Sequence, residues 1–457
     1  MTAVRGFVSV TSLAALLALV ASPAWAQSND EVFPQFQWNF STPGARANAM
    51  GRAFTGLADD ASAAVTNPAG LMSLTRPQAY FEYDSNDLRV ARLSAVNSFV
   101  SLSPTTTSQT VNAPAFFSLS APIGKKLAVA FTRHEFLNYR ENFTLAPRPV
   151  PGAITAGFTE FPVTGASNFS ATSYDGSVAY AVTSQLRVGV TFGEDHLNAT
   201  SSAQRFALAC SPKGCADTFG VTERLVNGQP LLVNQTSINS SSSGASFTAG
   251  ALFVPNDKLS VGLQFSRGPK LSVAEHLQVN PGFLNLATDT NQTPVEFSSS
   301  PFTVPINVPN RFGFGAAYRA NSRLLATVDF VWIGYSSLAS QFVVVIDSAT
   351  LSPSQYSIPN VVESHLGAEY LLLTGKHPIF IRGGFFTSPD HSVTFTPLAT
   401  PVNADTSAAQ TAINDLLPRK TTFAGTVGAG FVFGQHAQLD LAYVGTREFV
   451  ASLGARF

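Results

Sequence analysis

From Gln78 onward the chain alternates. Apolar side chains recur at every second position in run after run: Ala79, Phe81 and Tyr83; Leu127, Val129 and Phe131; Leu186, Val188, Val190 and Phe192; Leu259, Val261, Leu263 and Phe265. The same period continues through Phe312, Phe314 and Ala316, through Leu324, Ala326, Val328, Phe330 and Trp332, and on to Phe449, Leu453 and Phe457. A period of two predicts strands with one apolar and one more polar face. About fourteen such runs can be marked, each expected near the ~9 to 11 residues that cross a bilayer at a tilt.

The connections predict how these strands are arranged. Short turns at 122–125, 183–185, 255–258, 320–322, 374–377 and 434–436 are expected to alternate strictly with polar stretches near 91–110, 141–171, 203–242, 273–308, 337–360 and 388–419. Segregation of loop length by parity suits an outer-membrane barrel with short periplasmic turns and long outer loops. A β-sandwich has no reason for it.

Composition changes the picture in one respect. Charged residues are 12% of the chain, with 37 Phe against 27 Lys plus Arg, which is too few charges to cover a large soluble surface. The net charge of −1 offers no electrostatic basis for binding nucleic acid. Residues 1–26 carry Arg5 as their one charge, an apolar run from Phe7 to Val20 and Ala24-Trp25-Ala26, and read as a cleaved signal peptide. Cys210 and Cys215, in a polar stretch with Pro and Gly between them, are expected to form a small loop disulfide in an exported protein.

One stretch breaks the alternation. Gly44 to Leu74 is Ala-rich and nearly free of β-branched residues, so it favours helix. Asp59 and Asp60 stand before Ala61–Val65 as N-cap and first-turn acids, and Pro68 forces Asn67 out of helical geometry, so a helix of about two turns must stop there. The preceding aromatic stretch, Gln27 to Phe40, is expected to lie beside it inside the barrel. The order Gly44-Ala45-Arg46, Met50-Gly51, Ala53-Phe54, Ala58-Asp59-Asp60, Asn67-Pro68-Ala69 resembles the plug of the long-chain fatty-acid transport porins, the FadL/TodX family, departing from the commoner pattern at Arg52 and Thr66. Pro309-Asn310-Arg311-Phe312-Gly313, Asp329-Phe330-Val331-Trp332 and Ile381-Arg382-Gly383-Gly384-Phe385 resemble later parts of the same family.

The resemblance implies an all-β antiparallel transmembrane barrel of about 14 strands (residues 77–457), plugged by an N-terminal helical segment (residues 27–76). It implies transport of a hydrophobic small molecule, long-chain fatty acid or aromatic hydrocarbon, across the lipopolysaccharide layer. A general diffusion pore and a docking barrel for secreted proteins are the rival readings. The last strand, ending in Phe457, looks like the signal read by the barrel assembly machinery. A monomer without cofactor or metal is expected, in the outer membrane of a Gram-negative bacterium.

Candidate site residues follow from the plug and from strand parity. Gly44, Asp59, Asp60, Asn67, Pro68 and Ala69 form the plug motif, and its apolar side chains Met50, Phe54, Leu57, Leu71 and Met72 are expected to line the ligand pocket. Parity turns Asp329, Glu369, Arg382 and Asp440 toward the lumen, where Arg52, Asp59 and Asp60 could pair with them in a latch; solvated charges in an open pore would share that parity. On the third strand the lipid face of Leu127, Val129 and Phe131 runs into Arg133 and Glu135. A lipid-facing Arg costs about 2 to 4 kcal/mol. The strand is therefore expected to bulge over Thr132 to Glu135, turning Arg133, His134 and Glu135 inward and leaving a lateral exit. No G-x-S-x-G and no usual metal-ligand spacing among the seven histidines is present, so no enzyme is expected. Asp405 to Leu417 reads as an amphipathic helix in an outer loop.

Overall fold

The computed structural model describes residues 38–95, 102–145, 163–206, 225–284, 299–341, 356–373, 377–391 and 421–457, with short further pieces inside the connecting loops. The signal-peptide segment, both cysteines and Asp405–Leu417 lie outside the described residues.

Fourteen antiparallel strands close on themselves: β1 (Gln78–Ala95), β2 (Leu102–Ile123), β3 (Leu127–Leu145), β4 (Val163–Ala181), β5 (Leu186–Phe206), β6 (Leu232–Asn256) and β7 (Leu259–Arg267). They continue with β8 (Arg311–Arg319), β9 (Leu324–Ile333), β10 (Val361–Leu373), β11 (Ile379–Ser388), β12 (Thr422–Phe433), β13 (Ala437–Val444) and β14 (Glu448–Arg456). Closure is made by β1 against β14, from Gln78↔Arg456 to Asn86↔Glu448. The Phe457 amide then donates to the Pro77 carbonyl at 3.0 Å. Closing the ladder pairs the first strand with the last, so neither is left as an edge, which a hydrocarbon solvent demands. Phe131, Phe192, Phe265, Phe330 and Leu453 face outward as the alternation predicts.

Two expectations are corrected. The crossing segments are not uniform: β1 has 18 residues and β6 has 25, whereas β13 has 8. Polar residues such as those of Ser240–Gly244 can extend a strand beyond the membrane as long as its neighbours extend too, and alternation of Ser and Asn gives no apolar period to detect. Nor is loop length strictly segregated, because β13 and β14 are joined on the long-loop side by only Gly445, Thr446 and Arg447, with Arg447 at φ 73°.

Between β7 and β8 the chain makes an extra hairpin, Lys270–Val279 against Phe302–Asn307. Its Ser272 and Ala274 amides donate to the Ser242 and Ser240 hydroxyls of β6 at 3.1 and 3.2 Å. Leu271, Val273 and Ile306 are thereby buried with Tyr139, Phe169 and Leu197 in an apolar cluster at the outer end of the lumen.

The plug lies at the short-turn end. It holds α1 (Ala45–Ala49), α2 (Ala63–Thr66) and a 3-10 turn over Pro68–Ser73. Asn67 is extended at φ −139°, as the proline requires, but α2 is one turn long rather than two. Its cap differs as well: Ser62 takes the N-cap position, and Asp60 accepts from the Ser62 amide and hydroxyl at 2.9 and 2.6 Å. Wall and plug meet backbone to backbone. A Cβ on Gly384 of β11 would stand 2.1 Å from the Gly51 nitrogen, and one on Gly250 of β6 would stand 2.1 Å from Asn67 Oδ1, so neither position admits a side chain.

Candidate ligand site and route

The latch forms, through a cation the parity argument did not single out. Arg46, on α1, reaches Glu369 with Nε at 2.8 Å and Asp59 with Nη1 at 2.5 Å. Arg382 on β11 binds the same Glu369 at 2.7 Å and Asp440 at 2.7 Å. Two arginines and three carboxylates thus run from the plug across three strands. Breaking one member of such a buried set leaves its partners uncompensated, which is far more costly than losing an exposed pair. Arg52 pairs with Glu448 at 2.8 Å, and the Asp329 carboxylate accepts from the Thr55 amide at 2.6 Å. Asp59 therefore serves inside the plug rather than against the wall. Burial pushes the Asp60 carboxyl up to about 6, against the pull of Arg46.

Asn67 secures the other side. Its Nδ2 donates to the Thr55 carbonyl at 2.9 Å and to the Ala251 carbonyl of β6 at 3.1 Å. The Ala64 carbonyl at the end of α2 accepts from Thr191 at 2.5 Å and Ser177 at 3.3 Å. On β5 the Arg187 guanidinium donates to the Ser73 hydroxyl at 2.6 Å. Among the described residues, no ion pair joins the plug to β4, β5 or β6, while the contacts to β9 through β14 include ion pairs.

β2 and β3 stop pairing part-way along their length. Their ladder runs from Ile123↔Leu127 to Phe116↔His134 and ends, although both strands continue toward the outer loops. Each carries a bulge at that height: β2 shifts register against β1 opposite Glu82/Tyr83, where Ala115 is the extra residue, and β3 shifts against β4 between Glu135 and Leu137. A bulge adds one residue, and with a side-chain period of two it reverses which parity faces inward. On β3, Ala128, Ala130 and Thr132 are buried before the bulge and Leu137, Tyr139 and Glu141 after it. On β2, Ser118 and Ser120 give way likewise to Ala113 and Val111. Pro114, without an N–H, cannot extend the ladder, and its free carbonyl accepts from the Arg133 guanidinium.

The expected kink is therefore present, centred at Phe136, and its side chains divide. His134 and Glu135 line the lumen. Arg133 does not turn inward; it lies across the seam, bonded to Pro114 and 3.6 Å from Glu135. Bonding one bulge carbonyl, the Thr172 hydroxyl at 3.4 Å and a carboxylate at the seam offsets the cost of its outward position.

A cavity of about 400 Å³ lies between the plug and the outer apolar cluster, reaching His134, Glu135 and Phe136 at this seam. Its apolar lining differs from the expected one. Met50, Phe54 and Leu57 pack with Ala317 and Leu325, and Leu71, with Met72 beside it, packs on Ala128, Ala130 and Ala179; all five face the wall, and none lines the cavity. Their places are taken by Trp38, Phe40 and Val65 from the plug side and Val111, Phe136 and Tyr335 from the wall and loops. Trp38 stacks 5.9 Å from Phe136, and the Asn39 amide donates to the Phe136 carbonyl at 2.8 Å, so the segment before the plug is tied to the bulge itself. The aromatic residues Trp38 and Phe40 just before the plug are the signal in the sequence for this role.

Residues 39–385 match the family model described as outer membrane protein transport protein (OMPP1/FadL/TodX). No curated protein matches the chain in sequence. Among solved structures it is similar to a Pseudomonas aeruginosa FadL homologue, at 13% identity and TM-score 0.62, covering 92% of this chain and 99% of that one. It is similar also to the Ralstonia pickettii toluene transporter TbuX, at 14% identity and TM-score 0.53 over 92% and 99%. The Pseudomonas putida toluene transporter TodX follows at 12% identity and TM-score 0.58, over 92% and 99%. Identities this low speak for the fold alone, whereas the family match spans plug, seam and most of the wall. With a plugged fourteen-strand barrel, a lumen cavity and that match in hand, the chain belongs to the FadL/TodX family of outer-membrane transporters of hydrophobic molecules and is not an enzyme.

Proposed function

We propose that the protein carries long-chain fatty acids from the outer face into the lumen and releases them sideways, between β2 and β3, into the membrane. The observation that carries this reading is the end of the β2–β3 ladder at Phe116↔His134 beside a cavity that reaches the same residues. A greasy solute gains about 25 cal/mol per Å² on leaving water, so a lateral exit delivers it to lipid without returning it to water behind the plug. Arg311 favours an acid over an aromatic hydrocarbon. It lines the cavity, stacks 4.5 Å over the Phe40 ring and donates to the Phe40 carbonyl at 3.4 Å, and it makes no ion pair among the described residues. A carboxylate would complete a half-buried guanidinium, and a hydrocarbon would not.

The test has two arms. Radiolabelled oleate should bind the detergent-purified protein, and Arg311→Leu should weaken oleate binding by more than it weakens toluene binding. Equal losses would point to aromatic hydrocarbon; ion conductance in a planar bilayer with no oleate binding would indicate a diffusion pore, and co-purification of a secreted protein a docking barrel. Deleting Phe136, which restores a single parity along β3, should leave a folded barrel that binds oleate but delivers it to cells slowly. Delivery at the wild-type rate would rule out this exit.

A further inference from the structure

His134 stands at the place where the β2–β3 ladder ends, and its hydrogen bonding is one-sided. Nδ1 lies 2.9 Å from Asp175 Oδ2 on β4. That carboxylate is 3% exposed and also accepts from the Thr132 hydroxyl at 2.9 Å and the Ser173 hydroxyl at 2.7 Å. In the neutral imidazole, a carboxylate that only accepts holds the proton on Nδ1 and leaves Nε2 with a lone pair. The imidazole lies 5.8 Å from the Phe136 ring and lines the cavity.

The surroundings make this edge a place for a donor. Asp195 on β5, 2% exposed, also lines the cavity; Ser173 and Ser246 are its hydrogen-bonding neighbours, and its Oδ2 meets no donor. Neither Asp175 nor Asp195 has a Lys or Arg partner among the described residues. Room for the Asp175 carboxylate and for the Ser246 hydroxyl comes from Gly193, where a Cβ would stand 2.3 Å from Asp175 Oδ1 and 2.4 Å from Ser246 Oγ. Two buried acids behind the imidazole, with Glu135 beside it, give negative potential and a lone pair next to the apolar Phe136, Leu137 and Ala115.

We infer that His134, held by Asp175, is a specificity residue that accepts a hydrogen bond from an O–H or N–H group on the ligand as it reaches the seam. The ligand class is a hydrophobic molecule with one polar donor: an alcohol, a phenol or an undissociated carboxylic acid. The inference rests on the lumen being the route of a hydrophobic molecule, and it deepens that reading by naming what the exit recognises. For a fatty acid it places recognition of the neutral acid at the point of entry into lipid, apart from the carboxylate at Arg311.

The experiment is a cycle between ligand and protein. Binding of 4-butylphenol and 4-butyltoluene, which differ by a hydroxyl in place of a methyl, is measured on the full-length purified protein and on His134→Phe, which keeps an aromatic ring against Phe136. The phenol should lose roughly threefold to tenfold more affinity than the toluene, the size of one neutral hydrogen bond. His134→Gln, which retains an acceptor, should restore part of that difference. Should His134→Phe not show the heat-modifiable gel shift of a folded barrel, Asp175→Asn, which frees the tautomer, is read in the same cycle with a smaller differential loss of the same sign. Equal losses for the two ligands would overturn the inference and leave the hydrophobic route standing. Failure of both ligands to bind the wild-type protein would overturn the route as well.

Discussion

The two halves of the wall hold the plug by different chemistry. From β9 to β14 the ladders shift register between Leu371 and Leu373, beside the short turn, and the plug is held by Arg46, Glu369, Arg382 and Asp440, by Arg52 with Glu448, and by Asp329 on the Thr55 amide. From β2 to β6 the contacts are single hydrogen bonds, made by Asn67, Ser177 and Thr191 on carbonyls and by the Arg187 guanidinium on the Ser73 hydroxyl, and here two adjacent strands bulge and their ladder ends. The difference teaches a division of labour. Buried ion sets are intolerant of displacement, since each charge is compensated only in one geometry. Single hydrogen bonds are cheaper to rearrange, and the half with the interrupted ladder is the half in which, among the described residues, no ion pair joins plug and wall.

The largest effect should come from the ionic side. Arg382→Met leaves Glu369 and Asp440 buried without their common cation, and about 3 to 5 kcal/mol of stability should be lost. The temperature of the heat-modifiable gel shift, and trypsin sensitivity of the plug, report it; unchanged values would mean that the latch carries no weight. Next is Gly384→Ala, whose Cβ would meet the Gly51 nitrogen at 2.1 Å. Overpacking of this kind costs about 1 to 3 kcal/mol, and the plug should become protease-sensitive while the barrel still shifts on gels. On the open side Arg133→Ala frees the Pro114 carbonyl, a loss of about 1 kcal/mol confined to the seam. Faster hydrogen exchange at Phe116 and His134, with β9 to β14 unaffected, is the expected outcome.

The last effect is a pH dependence, confined to acid pH. The Asp60 carboxyl is pushed by burial from 3.8 to about 6 in the folded protein. The folded state therefore holds a proton that the unfolded state has lost between those values, and stability falls as pH rises from about 4 to about 6, then levels. Asp60→Asn should flatten that slope; an unchanged slope would assign it to another group.

Some of the site was open to inspection in the sequence, for a physical reason that can be named at each residue. Asn67 and Pro68 dictate a helix end wherever they occur, because the clash is between neighbours. Asp329, Glu369, Arg382 and Asp440 could be turned inward from their parity alone, because a strand period of two leaves no other face. The Arg133–Glu135 stretch announced a bulge for the same reason: its charges fall where the local period puts lipid. Arg46 could not be assigned to the latch in this way, since a short Ala-rich helix with one charge has no period to orient it. Met50, Phe54 and Leu57 look like pocket residues by type, and only their seating against Ala317 and Leu325 shows otherwise.

What the sequence by itself determined is local and periodic: fourteen alternating runs, a helical break at Gly44–Leu74, the stop at Asn67-Pro68, and the inward charges. Each depends on residues within a few positions of one another. The tertiary structure decided what depends on register between distant segments. It alone brings the bulge at Ala115 to the height of the bulge at Phe136, carries Trp38 and Asn39 onto the latter, and sets His134 against Asp175. A one-residue shift in any of these strands would reverse every side chain beyond it, and no pattern within a single strand records where its neighbour's extra residue falls.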